Sequence, residues 1–404
     1  MDTGAPAPAH APLEAPAAAP VASPEVRVGL VTGAASVTIG SGSGLGIYTV
    51  GGAPLAMLRA GDTWTARRSG PDLVLSTGAG VGAGPARLVQ ARTDDPAALV
   101  RVNGRDYRGW LELSPAAGGG VTVVNVVPLE LYLQGVVGAE MGVRPDADRE
   151  ALAAQAIVSR TYAMRNRGRR AAQGYDYQSG VGDQVYAGVG MENPAATRAV
   201  RETAGLIVTF EGQPIDAFFF STCGGRTERG TEVFRQADRP YLQSVSDLAP
   251  DGTAYCSISP RFQWREEFSG EALRQALRQY LPATMGVPAA RVTRVRDVRV
   301  EGRTVSGRVR ALSIELPDGF VSIPGPQVRQ VLRQPSADIL RSTLFTVSET
   351  RSGGQVTRLI VNGSGAGHGV GFCQWGAVGR ARAGQTREQI VAAYFPGTGI
   401  ERAY

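Results

Sequence analysis

Glu140 closes the apolar run Val-Val-Gly-Ala-Glu-Met, with Gly138 before it and Gly142 after it. Apolar surroundings push a carboxyl group toward its neutral form, because burial penalises the charge. A carboxylic acid that keeps its proton near neutral pH is what general acid catalysis requires. The position also fits a helix-end glutamate facing water, and spacing alone leaves both readings open. A second candidate is the stretch GSGAGHGVGFCQWGAVG (363–379), where His368, Gln374 and Trp375 sit among glycines. Glycines let a backbone approach a ligand closely. Trp375 can stack on a sugar ring while Gln374 and His368 hydrogen-bond its hydroxyls; the alternative is a glycine-rich loop around a core tryptophan. A third is FFFSTCGGRTE (218–228), where Ser221, Thr222 and Cys223 gather polar groups at a strand end before Gly224-Gly225.

Other chemistries are excluded by what is missing. There is no Gly-x-Ser-x-Gly elbow and no His-Glu-x-x-His. With only two histidines, His10 and His368, a catalytic triad or a multi-histidine metal site has too few members. All 42 basic residues are arginine, which removes Schiff-base lysine chemistry and a P-loop lysine. Any catalysis therefore rests on carboxylates, and no cofactor is called for. The net charge of +6 is spread along the chain without a basic stripe interleaved with aromatics. That favours an anionic surface such as cell-wall polymer over nucleic acid. Three cysteines, Cys223, Cys256 and Cys373, are too few for a disulfide scaffold.

The elements that must position these residues read as α+β. Residues 1–25 form an Ala/Pro tract without periodicity, expected to be a disordered linker that contains an inert His10. Residues 26–125 alternate as short strands: 26–31, 36–40, 46–50, 63–68, 72–76 and further strands over 98–125. The glycine clusters 40–46 and 78–84 read as hairpin turns. From Pro128 the pattern becomes helical, with Leu129, Leu133, Val136 and Val137 on one face. A second, Ala-rich helix over 148–166, capped by Asp146 or Asp148, is apolar nearly all round and so predicted to be buried. A hairpin over 206–222 turns at Glu211-Gly212. Short helices at 271–281 and 325–333, strands at 292–300, 303–316, 342–349 and 356–361, and a last helix over 386–394 opening at Thr386 complete the chain. No apolar run reaches the roughly 18–20 residues of a membrane helix, so the sequence does not read as an integral membrane protein. No export signal with a basic and an apolar region is visible: either the signal has been trimmed or the chain stays inside.

The stretches VVPLELYLQGVVGAEM (126–141), ALAAQAIVSRTYAMR (151–165), DQVYAG (183–188), ETAGLIVTFEGQPIDAFFFSTCGGRTE (202–228), PYLQSV (240–245) and GAGHGVGFCQWGAVGRARAG (365–384) together resemble, in order, the stage II sporulation protein D family, also called the SpoIID/LytB domain. The resemblance covers roughly 26–402. It implies a lytic transglycosylase that cleaves peptidoglycan glycan strands stripped of stem peptides, with the glutamate closing the PLExYLxGVVxxE motif, here Glu140, as its catalytic acid. Such an enzyme needs one carboxylate where a glycosidase usually needs two, because the C6 hydroxyl of N-acetylmuramic acid attacks C1 and forms a 1,6-anhydro ring. The expected sugar cleft is shaped by Gln155, Arg160, Tyr162, Gln184, Tyr186, Ser221, His368, Gln374 and Trp375, with Arg160 or His368 supplying positive charge.

The resemblance sets the expected domains as the linker 1–25, a β-rich part 26–125 and the catalytic core 126–402, and the expected site as the cell envelope. Membrane contact would run only through an anchor not visible here. It also offers a rival: family members described as amidase enhancers, acting by glycan binding or by activating a cell-wall amidase, and beyond that a purely glycan-binding module. The Cys-x4-His zinc motif of some members is replaced by GYDYQSGVGDQVY, so that site is expected to be absent. Cys223, Cys256 and Cys373 leave three alternatives open: a Cys223–Cys256 disulfide with one thiol over, a metal held by the three thiols with His368 as fourth ligand, or buried free thiols.

Overall fold

The computed structural model describes residues 23–77, 80–234, 238–334 and 336–404. The Ala/Pro tract lies outside the described residues up to position 22, His10 included. Order begins at the strand Glu25–Ala34, which pairs antiparallel with Val121–Pro128. These two are neighbours in a seven-stranded sheet, and a six-stranded sheet lies beside it in the sequence-first part of the chain. Alternating burial, as in Thr63–Ser69 and Asp72–Thr77, puts Trp64, Ala66, Leu73 and Leu75 inside. The segment 78–84, read as a turn, is largely strand: Gly80–Ala86 pairs with Asp72–Thr77. Gly82 is glycine because Trp64 lies across it, where a Cβ would sit 2.5 Å from the indole, and Gly84 because a Cβ would meet the Leu73 carbonyl at 2.7 Å.

Helix α1 (Leu129–Met141) follows directly. Its predicted apolar face, Leu129, Leu133, Val136 and Val137, is fully buried, which at about 1.5–3 kcal/mol per large aliphatic side chain fixes the helix in place. Helix α2 (Arg149–Asn166) is buried from Ala151 to Ala163. Asp148 stands at its N-cap position but makes no capping bond. Its carboxylate instead accepts from Arg382 Nε and Nη2 at 2.7 and 3.1 Å. Helix α3 (Pro194–Glu202), unseen in the sequence, is capped by Asn193. The β-rich region, α1–α3 and the C-terminal elements share one continuous apolar core, from Val26 to Phe395.

Leu206–Phe210 turns at Glu211-Gly212 as expected, but only Gln213–Pro214 returns beside it. The other half of that expected hairpin, Phe219–Phe220, pairs in parallel with Phe372–Cys373. Between these two partners, the residues from 264 to 361 build a second apolar core. Helix α4 (Gly270–Met285) gives it Leu273, Leu277 and Leu281, and α5 (Gly325–Val331) gives it Val328 and Val331. Its two three-stranded sheets include Gln263–Ser269 and Gly319–Pro324, neither of which stood out in the sequence. This lobe leaves and rejoins the body through one strand pair, since Gln263 lies opposite Ser364. It is also buttressed from the side: buried Glu228 accepts from the hydroxyls of Thr304 and Ser306 at 2.6 and 2.7 Å, and Arg308 donates to the Cys223 carbonyl at 2.8 Å. Helices α6 (Gln374–Arg382) and α7 (Arg387–Tyr394) follow, α7 with a full Thr386/Gln389 capping box, and the last strand, Gly399–Arg402, pairs antiparallel with Leu206–Phe210. Among the described residues no helix is long and apolar enough to cross a membrane.

Candidate active site

Glu140 ends α1 at the wall of a groove of about 1190 Å³. Two glycines of α1 allow this. A Cβ on Gly138 would sit 1.9 Å from the Met191 carbonyl oxygen, and one on Gly135 would press on Tyr186 at 3.0 Å. With neither present, residues 184–191 pack flat on the helix, and the Val185 N–H donates to Glu140 Oε1 at 3.1 Å. From the opposite side Gln374, the first residue of α6, donates its Nε2 to Oε2 at 3.2 Å. Both partners are neutral. Burial, the dominant cause, raises the Glu140 pKa, and the two hydrogen bonds oppose it only in part.

The groove brings together Glu140, Tyr162, Ser221, His368, Gln374 and Trp375. The other expected residues lie behind it. Gln155 is buried in α2 and donates to Ser159 Oγ at 2.9 Å. Gln184 donates to the Ser159 carbonyl, and the Tyr186 hydroxyl donates to Asn125 Oδ1 at 2.9 Å; they flank Val185 and hold its N–H in place. Arg160 is fully buried and forms a two-pronged pair with Glu130, at 2.7 and 2.8 Å. Its charge is spent at the start of α1, a helix length from Glu140, so it is no counter-ion for the site.

Nor is His368. Its ring is enclosed by Phe218, Phe220 and Phe234. Nε2 donates to the Phe219 carbonyl at 3.0 Å and Nδ1 accepts from the Val370 N–H at 3.1 Å, a pattern only the neutral ring can make. Burial and then the nearby Arg329 push its pKa down to about 3.

Positive charge comes from residues the sequence did not single out. Arg144, Arg165, Arg169, Arg239, Arg261 and Arg329 all line the groove, against three carboxylates, Glu140, Asp183 and Asp216. Asp183 is clamped by Arg169 and Arg170, and Asp216 by Arg165 and Arg239, which holds the Asp216 carboxyl below its usual range. Glu140 is thus the one lining carboxylate, among the described residues, without a cationic partner. The Arg144 guanidinium lies over the Trp375 ring at 4.2 Å, and Phe218–Phe220 add apolar faces to the floor. These arginines are scattered from 144 to 329 and give no local signal. A second cavity of about 610 Å³, beside Trp264 and Arg303 in the lobe, holds no carboxylate.

A further cluster lies under the groove. Cys223 and Cys256 are unbonded, with sulfurs 3.4 Å apart, and Cys373 joins them. The fourth group there is Asp247, whose Oδ2 lies 3.1 Å from Cys223 Sγ; His368, expected in that place, is held in its aromatic box instead.

A family model described as stage II sporulation protein matches residues 117–210, the span of α1, α2, α3 and Val185. A domain of unknown function (DUF8618) matches 252–371, which contains the lobe. Stage II sporulation protein D of Bacillus subtilis is 31% identical over 297 residues, 69% of this chain and 76% of that protein. An uncharacterised protein of Brachyspira hyodysenteriae is 31% identical over 300 residues, 74% of this chain and 73% of that protein. The amidase enhancer of Bacillus subtilis is 25% identical over 66% of this chain and 40% of its own length. On this similarity the chain belongs to the stage II sporulation protein D family.

Proposed function

We propose that the protein acts on the bacterial cell wall as a lytic transglycosylase, cleaving stem-peptide-free glycan between N-acetylmuramic acid and N-acetylglucosamine outside the cytoplasm. The observation that carries this is Glu140: a carboxyl group whose pKa burial raises, touched only by neutral donors, in a groove whose other acids are neutralised by arginine. Glu140 donates its proton to the glycosidic oxygen as the C1–O bond breaks. The resulting carboxylate takes the proton of the muramic C6 hydroxyl, whose oxygen bonds to C1 and closes the anhydro ring. The acid is regenerated in the neutral state after that transfer, and no water is consumed. Stripped glycan exposes one lactyl carboxylate per muramic residue, which suits a groove rich in guanidinium groups, while the phenylalanines and the Trp375 ring, stacked under Arg144, give the groove apolar surface for sugar rings.

The test is digestion of stripped glycan strands with mass spectrometry for 1,6-anhydromuramic ends. Wild type should produce them. Glu140→Gln should bind the strands yet lose about 10²–10⁴-fold in rate or more. A second reading, stimulation of a cell-wall amidase, is favoured by the similarity to an amidase enhancer. If neither variant makes anhydro ends and both accelerate an amidase equally, that reading replaces the first.

A further inference from the structure

Beneath the groove, Cys223, Cys256, Cys373 and Asp247 converge with their ligand atoms all within 4.8 Å of one another, and all four are buried. They come from four separate places. Cys223 follows the strand Phe219–Phe220, Asp247 lies in the chain after it, Cys256 sits in the turn Tyr255–Ile258, and Cys373 precedes α6. No short spacing links them, and the sequence offered the three thiols as one alternative without pointing to Asp247. We propose that this cluster is a structural Cys3Asp site for one zinc ion.

Four observations support it. A tetrahedral zinc with Zn–S bonds of about 2.3 Å needs sulfurs roughly 3.7–3.8 Å apart, so the 3.4 Å separation of Cys223 and Cys256 needs to open by only a few tenths of an ångström. Backbone N–H groups already point at the sulfurs: Cys223 N–H and Gly376 N–H donate to Cys373 Sγ at 3.1 and 3.3 Å, and Gly225 N–H donates to Cys223 Sγ at 3.4 Å, the arrangement that stabilises thiolates. Asp247 is oriented from behind. Its Oδ1 accepts from Arg380 Nε at 3.0 Å and the Tyr394 hydroxyl at 2.7 Å, which leaves Oδ2 turned toward the thiols as an outer shell orients a ligand. Positive charge is also at hand: a divalent ion would offset two of the four negative charges, Arg380 faces Asp247, and the fully buried Arg308, shared with Glu228, donates to the Cys223 carbonyl. A Cys223–Cys256 disulfide would use two sulfurs and leave Asp247 Oδ2 without the thiol it faces. Three thiolates in a dry pocket select zinc over magnesium or calcium.

The ion would fasten the strand end carrying Ser221 to the start of α6, whose Gln374 reaches Glu140. Its role is therefore independent of whether Glu140 cleaves glycan.

The full chain, purified without chelator, should carry one zinc per molecule by elemental analysis. Exchange for cobalt(II) should give thiolate charge-transfer absorption and the intense visible bands of tetrahedral coordination. A strong chelator should lower the melting temperature of wild type, and Cys256→Ser should bind the metal more weakly. Metal-free wild-type protein that takes up no cobalt and whose melting temperature ignores chelator would overturn the site. So would a Cys223–Cys256 disulfide in the mapped peptides. Because cobalt uptake and chelation are read on wild type, a variant that fails to fold leaves the test intact.

Discussion

A carboxyl group that delivers a proton near neutral pH must first resist losing it, and at Glu140 the resistance comes from burial at the end of a helix. The sign is definite. The reactive form is the neutral acid, so the rate should fall as pH rises through the elevated Glu140 pKa. That places the alkaline limb of kcat/KM above the ordinary glutamate value of 4.5. The same elevation means the folded state binds this proton more tightly than the unfolded chain does. The stabilisation is full below 4.5 and is lost as pH rises through the folded pKa. Glu140→Gln should therefore melt higher than wild type at neutral pH, with the gap narrowing toward pH 4.5. No limb near 6.5 should come from His368, already neutral throughout the range where the acid works. A pH–rate profile with paired melting curves checks both; a wild-type rate that climbs with pH would remove Glu140 from the role of acid. Glu140 stood out in the sequence because the apolar run before it is local, although the partners that hold it, Val185 and Gln374, are not. Arg160 was misplaced for the opposite reason. An arginine in an Ala-rich helix reads as available, and its partner Glu130 lies thirty residues upstream.

At the level of elements, the glycines of α1 do as much as the glutamate. Gly138 is where residues 189–191 touch the helix backbone. Gly138→Ala should force them apart, with about 1–3 kcal/mol lost as for other overpacked sites. It should also break the Val185 N–H bond to Glu140, which lowers the pKa of that carboxyl. The alkaline limb should then move to higher pH, a shift that general destabilisation would not cause; a pH–rate profile of the variant, alongside its melting temperature, measures both. The Gly-Val-Val-Gly spacing that permits this contact was visible in the sequence, though what it receives was not. Helix α6 was hidden by the same residue type. Gly376 and Gly379 read as loop, yet each is helical, and each is glycine because a Cβ would strike Asp247 and Tyr394 or the Tyr255 carbonyl. In both helices glycine marks close packing rather than a turn.

Across the whole molecule, the alternation of residues 26–125 and the apolar faces of α1 and α2 revealed the main core, because each element announces its own period. The second core did not stand out as a unit, although several of its strands and both its helices were read, because which strands pair is settled only in three dimensions. Its mode of attachment bears on how substrate arrives. The lobe joins the body at the strand pair of Gln263 and Ser364, is pinned again where Thr304 and Ser306 donate to buried Glu228 and Arg308 to the Cys223 carbonyl, and lends Arg329 and Ile339 to the groove wall. A wall pinned at two places holds its guanidinium group ready before the polymer arrives, so capture of a strand spends little on ordering the cleft. Glu228→Ala, which cuts one of the two pins, should then raise the KM for long strands more than it lowers kcat; an unchanged KM would show that the lobe takes no part in holding the polymer.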